Sequence, residues 1–577
     1  MSFELSDEAK AVLVHDGPVL VLGGPGSGKT TLSLLKAQQL IPTLRPGQEI
    51  LFLSFSRAAV RQVLLRCAGV LTSAERKLIT VKTYHAFCMD LLRAHGRLLN
   101  GRPARILFPA EARLRKTALG SGVWDAEEVR LAAEDGVYAF DQFAPSAAQL
   151  VGGSLALAEL ISDRYPIVIL DEFQDTSDAE WELVQHLAER SRVIVLADPD
   201  QRIFEWDKRV DPRRLEQLRE VVSPEEFDLG GANYRSPNAG VLAYADAVLR
   251  NGVLPDTRDV QDLSYAGKNF ALAVHVSVAW AFSELRKLEV ENPSVAVLAR
   301  TNALVGQISS ALETQHTFKG VPYAPIEHEL VWDAEQTTAA ALVVASILEW
   351  PEKAEREGVA ASLEAIADFY DVKNANRPSA SSTSARDKYR NYAQQVRGDR
   401  VSRRPARALS GLLAAGSNGI ELVGDPTTDW LTARDLITGI EDLAEIANNA
   451  RYVRLFRASG EIGGRLGDQW SQTGTYGSAA EIVRHALEAS LVMGDQRAPR
   501  GCILMSLHKS KGKEFDAIVL VEGQYTGQFF NPEKEQAPFM ATRRLLRVGI
   551  TRARRRVTIV RPSGVPALAD GTGTGSH

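Results

Sequence analysis

A glycine-rich segment near the N-terminus constrains the fold of this chain more than any other feature. Residues 23–30 read GGPGSGKT and lie between an apolar run, Val19–Leu22, and a segment of helical character, Lys29–Leu40. Glycine admits backbone conformations and close approaches that a residue with a Cβ cannot adopt. A strand, a glycine loop and a helix in this order form the first half of a βαβ unit. The segment therefore predicts an α/β protein with a parallel sheet.

Further short apolar runs recur along the chain, and helix-like segments follow them. They are 50–55, Ile79–Thr83, Ile167–Leu170, 193–197, 295–299, 518–521 and 557–560. Short continuous apolar strands are typical of parallel sheets that are covered on both faces. After the run Ile167–Leu170, Ser177 and Glu180 have the spacing of a capping box, which predicts the start of a helix. The alternation of strands with helices predicts an α/β fold.

The length of the chain and the rhythm of these runs predict several domains. At about 150 residues per domain, the 577 residues suggest about four domains. Two largely helical segments, 90–160 and 331–494, interrupt the rhythm, and we interpret them as insertions into two α/β cores. The second insertion contains a Ser-rich loop at 379–384. The predicted remaining parts are 1–89 and 161–230 for the first core, 231–330 and 495–569 for the second core, and 570–577 for a disordered tail.

Composition and cysteine content exclude several classes of protein and site. Hydrophobic residues make up 45% and charged residues 24% of the chain. These values are close to globular averages and exclude a disordered, collagenous or coiled-coil protein. Cys67, Cys88 and Cys502 form no CxxC pair. A disulfide framework, a tetrahedral zinc site and a four-cysteine iron–sulfur cluster are therefore unsupported.

The lengths of the apolar stretches and the net charge bear on the cellular compartment of the chain and on a possible nucleic-acid partner. No stretch approaches the roughly 18 uninterrupted apolar residues of a membrane span. The acidic N-terminus lacks the basic and apolar regions of a signal peptide. We therefore expect a cytoplasmic protein. Because the formal net charge is −5, a nucleic-acid site would have to be a local basic groove.

The glycine-rich segment also carries a chemical prediction. Successive backbone N–H groups in such a loop can curl around phosphate oxygens at a helix N-terminus, where the helix dipole favours anions. Lys29 is expected to reach the β- and γ-phosphates of a nucleotide, and the Thr30 hydroxyl is expected to bind Mg²⁺. The segment thus predicts nucleotide binding by Gly23, Gly24, Pro25, Gly26, Ser27, Gly28, Lys29, Thr30 and Thr31.

The segment IVILDEFQD at 167–175 supplies acidic residues at a strand end. We predict that Asp171 holds the metal ion together with Thr30. We predict that Glu172 orients and deprotonates an attacking water molecule. Beside the phosphate loop, these two acids predict a catalytic site for nucleoside triphosphate hydrolysis.

Ordered blocks along the chain resemble the motifs of the superfamily 1 DNA helicases of the UvrD/Rep/PcrA type. The blocks after the phosphate loop are SFS at 54–56, TYH at 83–85, DEFQD at 171–175, DPDQRIFEW at 198–206, NYRS at 233–236, SLHKSKGKEF at 506–515 and VGITRA at 548–553. One such match would be weak, but this many in the family order is a specific signal. The resemblance implies two RecA-like P-loop cores with parallel sheets, each carrying a mostly helical insertion.

The resemblance implies roles for residues that are far apart in the sequence. Gln201 follows a strand and suits a sensor of the γ-phosphate. Arg235 and Arg552 come from the second core and correspond to arginine fingers, which stabilise negative charge in the transition state. Together with Lys29, Asp171 and Glu172, these three residues are the predicted catalytic set. Three further residues are implied to contact the nucleotide, namely Tyr234 beside the adenine, Glu514 at the ribose and Gly512.

The resemblance also implies a surface for single-stranded DNA, on which aromatic rings stack on bases of any sequence. The residues in the corresponding blocks are Phe55, Tyr84, His85, Phe204, Trp206 and His508. The implied partners are single-stranded DNA and junctions between single and double strands, and a nuclease or repair factor is a further possible partner. The basic stretch 377–407 fits either contacts with duplex phosphates or a solvated helix face or mobile loop.

The chain departs from the family pattern at several positions. Ala9 stands where relatives usually carry an adenine-reading glutamine, and Thr31 stands where they often carry arginine. A methyl group cannot pair with adenine as an amide can, so we predict weak discrimination between ATP and other nucleoside triphosphates. Before the VGITRA block, Ala541 and Thr542 replace usual acids, and Arg547 replaces a usual aromatic residue.

These observations predict an ATP- and Mg²⁺-dependent motor that moves 3′ to 5′ along single-stranded DNA and unwinds duplex DNA in repair, replication or recombination. The direction comes from the resemblance alone. One alternative is a DNA-stimulated ATPase subunit of a repair or phage-defence complex with a separate nuclease. Another alternative is a nucleotide switch that binds a protein partner and does not use DNA.

Overall fold

The structure is a computed structural model of the chain. It describes residues 5–107, 111–112, 115–116, 119–203, 209–230, 239–331, 334–376, 379–403, 405–451, 461–493 and 499–572. The chain divides into two compact units. The first comprises Met1–Ala104, Phe143–Val331 and Ala498–His577, and the second comprises Arg105–Gln142 and Trp332–Arg497.

The first unit contains a six-stranded parallel sheet in its N-terminal half. Numbered in chain order, its strands are β1 (Val19–Leu22), β2 (Ile50–Ser54), β3 (Ile79–Thr83), β6 (Ile167–Leu170), β7 (Arg192–Ala197) and β8 (Glu225–Asp228). Their order is β3-β2-β6-β7-β1-β8. The predicted strands of this half are confirmed. All carboxyl ends of a parallel sheet lie at one edge, so the residues that follow β1, β6 and β7 come together there.

Helices cover this first sheet. They are Asp7–Val14, Lys29–Leu40, Arg57–Val70, Ser73–Arg76, Tyr84–His95, Arg97–Asn100, Phe143–Gly152, Leu155–Arg164, Asp178–Ala188 and Arg214–Val222. Side chains such as Val19, Phe52 and Ile169 are fully buried between sheet and helices. The predicted capping box is confirmed, because Ser177 accepts from the Glu180 N–H and the Glu180 side chain accepts from the Ser177 N–H.

A second parallel sheet of six strands lies in the same unit. Its strands are β9 (Val260–Tyr265), β10 (Ser294–Ala299), β13 (His328–Val331), β14 (Gly501–Ser506), β15 (Phe515–Val521) and β16 (Ala553–Pro562), in the order β13-β14-β10-β15-β16-β9. The helices Ala239–Leu249, Phe270–Lys287, Asn302–Glu313 and Met540–Ile550 accompany it, with a hairpin of β11 (His316–Phe318) and β12 (Val321–Tyr323). The two parallel sheets with their helices are two RecA-like cores, as predicted.

The second unit is mostly helical and has a core of its own. Beside the short strands β4 (Arg105–Ile106) and β5 (Val137–Tyr138), its helices are Ser121–Arg130, Ala334–Leu348, Glu355–Asn376, Ala380–Arg397, Arg407–Asn418, Pro426–Thr438, Ala444–Arg451, Glu461–Thr473 and Ala479–Met493. Phe369, Trp430 and Leu466 are buried in it. The prediction of a Ser-rich loop at 379–384 is wrong, because Ser379 caps the helix Ala380–Arg397 by accepting from the Ser382 N–H.

The division of the chain differs from the predicted boundaries at the first insertion. We predicted an insertion at 90–160, whereas the second unit takes only Arg105–Gln142 from this region. The helix Tyr84–His95 buries Leu92, and the helix Phe143–Gly152 buries Leu150, within the first unit. The apolar period of a helix does not tell which core it covers, and this is why the boundary could not be read from the pattern.

Part of the predicted disordered tail is ordered, and the helices were compared with the length and hydropathy of a membrane span. Asp570, in the predicted disordered tail, accepts a hydrogen bond of 2.6 Å from the Asn251 amide, whereas residues 573–577 lie outside the described residues. Within the described residues, no single helix is long and apolar enough to span a membrane. The bent pair Phe140–Gly152 and Leu155–Arg164 meets that test only when its two halves are taken together.

Candidate active site

The glycine loop forms the N-terminal wall of a cleft in the first unit. It connects β1 to the helix Lys29–Leu40, and Gly26 and Gly28 adopt positive φ angles of 80° and 89° that favour glycine. The Lys29 ammonium donates to the Gly24 carbonyl oxygen at 3.1 Å and to the Gly23 carbonyl oxygen. The Ser27 hydroxyl is buried and has no hydrogen-bond partner among the described residues. The loop thus keeps donor groups that an anion could use.

Two carboxylates follow β6 at the same edge of the sheet. The Asp171 carboxylate accepts from the Ser54 hydroxyl at 3.4 Å, and the Glu172 carboxylate accepts from the Gln174 amide at 2.7 Å. Burial, and next the charge of Glu172, raise the pKa of Asp171 to about 6. Burial also acts to raise the pKa of Glu172, but Lys511, Lys29 and Arg552 outweigh it and lower that pKa. Glu172 is therefore held ionised, as a general base requires.

Lys511 of the second core reaches these acids. Its ammonium lies 3.4 Å from Glu172 Oε2, contacts Asp175 Oδ2 and donates to the Gln201 carbonyl oxygen at 2.8 Å. Burial acts to lower the pKa of Lys511, but Asp175 and Glu172 raise it overall, so the lysine remains charged. Lys511 has no role among the sequence-based predictions. Its place in the SLHKSKGKEF block was the one signal available.

Gln201 and Arg552 join the two cores at the cleft. The Arg552 guanidinium, which is 2% exposed, donates from Nη2 to Gln201 Oε1 at 3.0 Å. The Gln201 amide donates to Asp198 Oδ2 at 2.6 Å, and Arg552 Nε donates to the Val548 carbonyl oxygen at 2.9 Å. The predicted sensor and one predicted arginine finger are therefore in direct contact.

Glu514 of the second core also lines the cleft. Its carboxylate is 3.2 Å from the Arg66 guanidinium of the first core and 3.2 Å from that of Arg554. The cleft has a volume of about 230 Å³. Its lining comprises Gly24 to Thr31, Ala59, Gln62, Val63, Arg66, Asp171, Glu172, Gln201, Gly512, Glu514 and Arg552. Arg66 and Gln62, on the helix Arg57–Val70, were missed because no sequence block covers them.

The residues of the cleft fit a nucleoside triphosphate with Mg²⁺. The unpartnered Ser27 hydroxyl and the loop at a helix N-terminus offer donors to phosphate oxygens. The Thr30 hydroxyl and the Asp171 carboxylate supply hard oxygen ligands of the kind that Mg²⁺ prefers, and both line the same cleft. Lys29 and Arg552 supply positive charge for the phosphates.

Several predicted residues lie outside the described residues. These are Arg235 and Tyr234 of the NYRS block, and Phe204 and Trp206 of the DPDQRIFEW block. The second predicted arginine finger, the predicted adenine-stacking ring and the main predicted DNA-stacking rings therefore stay predictions.

The structure corrects the prediction for Tyr84. We predicted a ring that faces single-stranded DNA, but Tyr84 is 1% exposed and lies in the core. Burial, and next the charge of Glu180, raise the pKa of its hydroxyl well above the usual value. Tyr84 begins a helix whose buried face includes Phe87, Cys88 and Leu91. A ring packed on that face cannot stack on a base without leaving the core.

The other residues predicted to contact DNA differ in exposure. Phe55 is half-buried just beyond the end of β2. His85 has a side chain that is 49% exposed, and its Nδ1 is 3.7 Å from the Glu180 carboxylate. His508 is half-buried, and burial followed by the charge of Arg300 lowers its pKa. His85 is therefore the most accessible of these three side chains.

Five basic residues of the stretch 377–407 form ion pairs within the second unit. Arg386 lies 3.4 Å from the Asp371 carboxylate, which Arg390 also contacts. Arg397 lies 2.8 Å from Glu357 and also contacts Glu364. Lys388 and Arg407 lie 3.8 Å and 2.6 Å from Asp442 and Glu441. These ion pairs favour the solvated helix face over a surface for duplex phosphates.

Two family models match the chain. The model of the UvrD/REP helicase N-terminal domain matches residues 5–127 and 126–220, and the model of the UvrD-like helicase C-terminal domain matches residues 501–560. The first match includes the phosphate loop, Asp171, Glu172 and Gln201. The second match includes Lys511, Glu514 and Arg552. The matched segments therefore supply both sides of the cleft.

Curated relatives align along nearly the whole chain. The ATP-dependent DNA helicase UvrD1 of Mycobacterium tuberculosis is 23% identical over 655 residues, which cover 96% of this chain and 82% of that protein. The ATP-dependent DNA helicase PcrA of Bacillus subtilis is 23% identical over 624 residues, which cover 95% and 81%. With its two RecA-like cores and these matches, the chain belongs to the UvrD/Rep family of superfamily 1 helicases.

Proposed function

We propose that this chain is an ATP- and Mg²⁺-dependent DNA helicase that moves 3′ to 5′ along single-stranded DNA and separates duplex strands. The observation that carries the proposal is the convergence of residues from two cores on one cleft. The phosphate loop and Glu172 come from the first core, and Arg552 of the second core donates to Gln201 of the first at 3.0 Å. A cleft built in this way can couple nucleotide hydrolysis to relative motion of the cores.

The proposed hydrolysis uses groups of the chain in distinct roles. Lys29 leaves the Gly23 and Gly24 carbonyl oxygens to bind phosphate oxygens. Thr30 and Asp171 would hold Mg²⁺, which would neutralise phosphate charge when bound. The ionised Glu172 accepts a proton from the attacking water as the oxygen of that water bonds to the γ-phosphorus. The bond from this phosphorus to the β–γ bridging oxygen then breaks. Arg552 and Gln201 stabilise the charge on the γ-phosphoryl oxygens.

The DNA-related parts of the proposal draw support from the relatives. Both aligned relatives are named ATP-dependent DNA helicases. We propose that single-stranded DNA and junctions between single and double strands are the substrates, and that Phe55, His85, His508, Phe204 and Trp206 contact the strand. We place the activity in the cytoplasm, in DNA repair, replication or recombination. The 3′ to 5′ direction is carried over from the family.

The decisive experiment compares ATP hydrolysis and strand separation on duplexes with a 3′ tail and with a 5′ tail. We expect single strands to stimulate hydrolysis and only the duplex with a 3′ tail to separate. The Glu172→Gln variant serves as the inactive control. Hydrolysis that is stimulated by DNA without strand separation would favour an ATPase subunit of a larger complex. Hydrolysis or nucleotide binding that DNA does not change would favour a switch for a protein partner.

A further inference from the structure

Arg547 stands out among the basic residues of the second core. It lies on the helix Met540–Ile550, five residues before Arg552, and its side chain is only 5% exposed. Its Nε donates to the Asp246 carboxylate at 2.7 Å. This bond holds the guanidinium to the helix Ala239–Leu249 of its own core and leaves both Nη atoms directed elsewhere.

The Nη atoms of Arg547 approach the first core beside the phosphate loop. Nη2 lies 3.5 Å from the position that a Cβ on Gly24 would occupy. Nη1 lies 3.7 Å from Asp198 Oδ2, beyond hydrogen-bond distance, and has no hydrogen-bond partner among the described residues. Buried N–H groups without a partner are uncommon in native proteins and call for an explanation.

Asp198 does not satisfy this donor. Its Oδ2 accepts from the Gln201 amide at 2.6 Å, and its Oδ1 accepts from the Asp200 N–H at 3.0 Å. Asp198 therefore lies between Gln201 and Arg547. The negative charge of Asp198, with that of Asp246, keeps the guanidinium charged against its burial.

Arg543 on the same helix provides an internal comparison. Its Nη1 donates to the Val248 and Leu568 carbonyl oxygens at 2.8 Å each, and its Nη2 donates to the Asn251 side chain at 2.7 Å. The N–H groups of Arg543 thus donate to acceptors of the second core. Arg547, one helical turn later, keeps a donor at the face where the phosphate loop lies.

We infer that Arg547 binds the terminal phosphate of the nucleoside triphosphate, as a third cation beside Lys29 and Arg552. The inference rests on the proposed function, because it presumes that the cleft holds a triphosphate. A phosphate oxygen next to Gly24 would accept from Nη2, and a second oxygen of the same phosphate would accept from Nη1, which lacks an acceptor among the described residues. The planar guanidinium suits such paired contacts with a phosphate. A diphosphate lacks the terminal phosphate, so Arg547 would distinguish triphosphate from diphosphate.

The test measures equilibrium binding of fluorescent AMP-PNP and fluorescent ADP, each with Mg²⁺, to the full chain. For Arg547→Gln we expect AMP-PNP binding to weaken about tenfold or more, the scale of one charge-assisted hydrogen bond, while ADP binding stays within about twofold. Arg547→Lys keeps the charge and should lose less. Arg556→Gln is the matched control, because Arg556 pairs with Asp259 at 2.5 Å within the second core. Its AMP-PNP binding should match that of the unchanged chain.

The outcomes separate this inference from the proposed function. Equal weakening of both nucleotides in Arg547→Gln, or no weakening of either, would overturn the inference, even if the unchanged chain hydrolyses ATP in response to DNA. Failure of the unchanged chain to bind AMP-PNP would overturn the proposed function and the inference together. A thermal melt of each variant shows whether it is folded. If Arg547→Gln is unfolded, Arg547→Lys decides: weaker AMP-PNP binding with unchanged ADP binding supports the inference, and an equal change or no change in the two overturns it.

Discussion

Glu172 combines a constrained backbone with a constrained charge. Its φ of 55° lies in the left-handed region, which residues other than glycine rarely adopt and which is often found at functional sites. The conformation directs its carboxylate toward Lys511 at 3.4 Å and the Gln174 amide at 2.7 Å. The backbone conformation, Lys511 and Gln174 thus hold the Glu172 carboxylate in one position in the cleft. A general base that deprotonates one bound water molecule requires such a fixed position.

Replacement of this carboxylate should stop turnover while leaving the fold intact. For Glu172→Gln we expect the rate of DNA-stimulated ATP hydrolysis to fall by about 10²–10⁴-fold, the usual contribution of a general base. AMP-PNP binding should persist in Glu172→Gln, whereas Lys29→Ala should lose both turnover and phosphate affinity. Glu182→Gln, an exposed glutamate on the helix Asp178–Ala188, is the control. Hydrolysis that survived in Glu172→Gln would remove Glu172 from its proposed role.

Ala9 bears on the choice of nucleotide. It is 7% exposed on the helix Asp7–Val14, and its methyl group belongs to the core of the first sheet. An amide that pairs with a base at two atoms is worth about 1–3 kcal/mol of discrimination, and Ala9 cannot supply it. We expect kcat/KM for ATP and GTP to differ by less than about tenfold, measured as phosphate release with single-stranded DNA present. A strong preference for ATP would mean that another residue reads the base.

At the scale of the element, the helix Ala380–Arg397 shows how a basic stretch can be structural. Its arginines face the helix Glu355–Asn376, which supplies Glu357, Glu364 and the buried Asp371. Each carboxylate neutralises a guanidinium, so little charge remains for DNA. By contrast, Arg400 and Arg403 follow the helix, are exposed and have no carboxylate partner within the described residues.

This difference predicts a split between stability and DNA affinity. Arg386→Gln with Arg390→Gln leaves the buried Asp371 without its cations, so we expect a loss of about 1–3 kcal/mol in the free energy of unfolding and unchanged affinity for duplex DNA. The pair Arg400→Gln with Arg403→Gln removes the same charge from exposed positions and is the matched control. Its stability should not change. Chemical denaturation and DNA titrations at two salt concentrations measure both effects, and a DNA affinity that fell only in the first pair would contradict us.

For the whole molecule, the important fact is that two separate sheets contribute to one cleft. Three polar contacts in the cleft join residues of different cores. They are the hydrogen bond from Arg552 to Gln201 and the ion pairs of Arg66 with Glu514 and of Lys511 with Glu172. A ligand that binds only when both cores form the cleft stabilises the folded state of both cores. Both cores should therefore respond to a nucleotide that touches mostly the first.

Amide hydrogen exchange with and without AMP-PNP and Mg²⁺ measures this response. At a nucleotide concentration about 100 times Kd, opening of the cleft should cost about 2.7 kcal/mol more. We expect exchange to slow in β1 and β6 and also in β15 and β16. In Arg552→Ala the added protection should shrink in the second sheet and persist in the first. Protection confined to the first sheet of the unchanged chain would argue against a shared cleft.

Local patterns predicted the phosphate loop and eight of the twelve strands of the two six-stranded sheets, because each of these depends on residues that are adjacent in the chain. The strands β1 and β6 follow apolar runs that end at a glycine and at an acid, β3 follows a β-branched run, and the helix Lys29–Leu40 follows its loop directly. The strands β8, β9, β13 and β14 were not predicted. In β8 and β9, exposed polar residues interrupt the apolar pattern. The first boundary between the two units escaped for another reason, because the apolar period of a helix does not tell which core the helix covers.

The sequence by itself determined the α/β architecture, the chemistry of the loop and acids, and the family, because these reside in short segments whose meaning does not depend on distant contacts. Only the tertiary structure decided that Tyr84 is buried and that Lys511 reaches Glu172. It also decided that the arginines of the helix Ala380–Arg397 form ion pairs with carboxylates, and that Nη2 of Arg547 lies beside Gly24. Burial and pairing depend on which residues meet across hundreds of positions, and no local pattern contains that information.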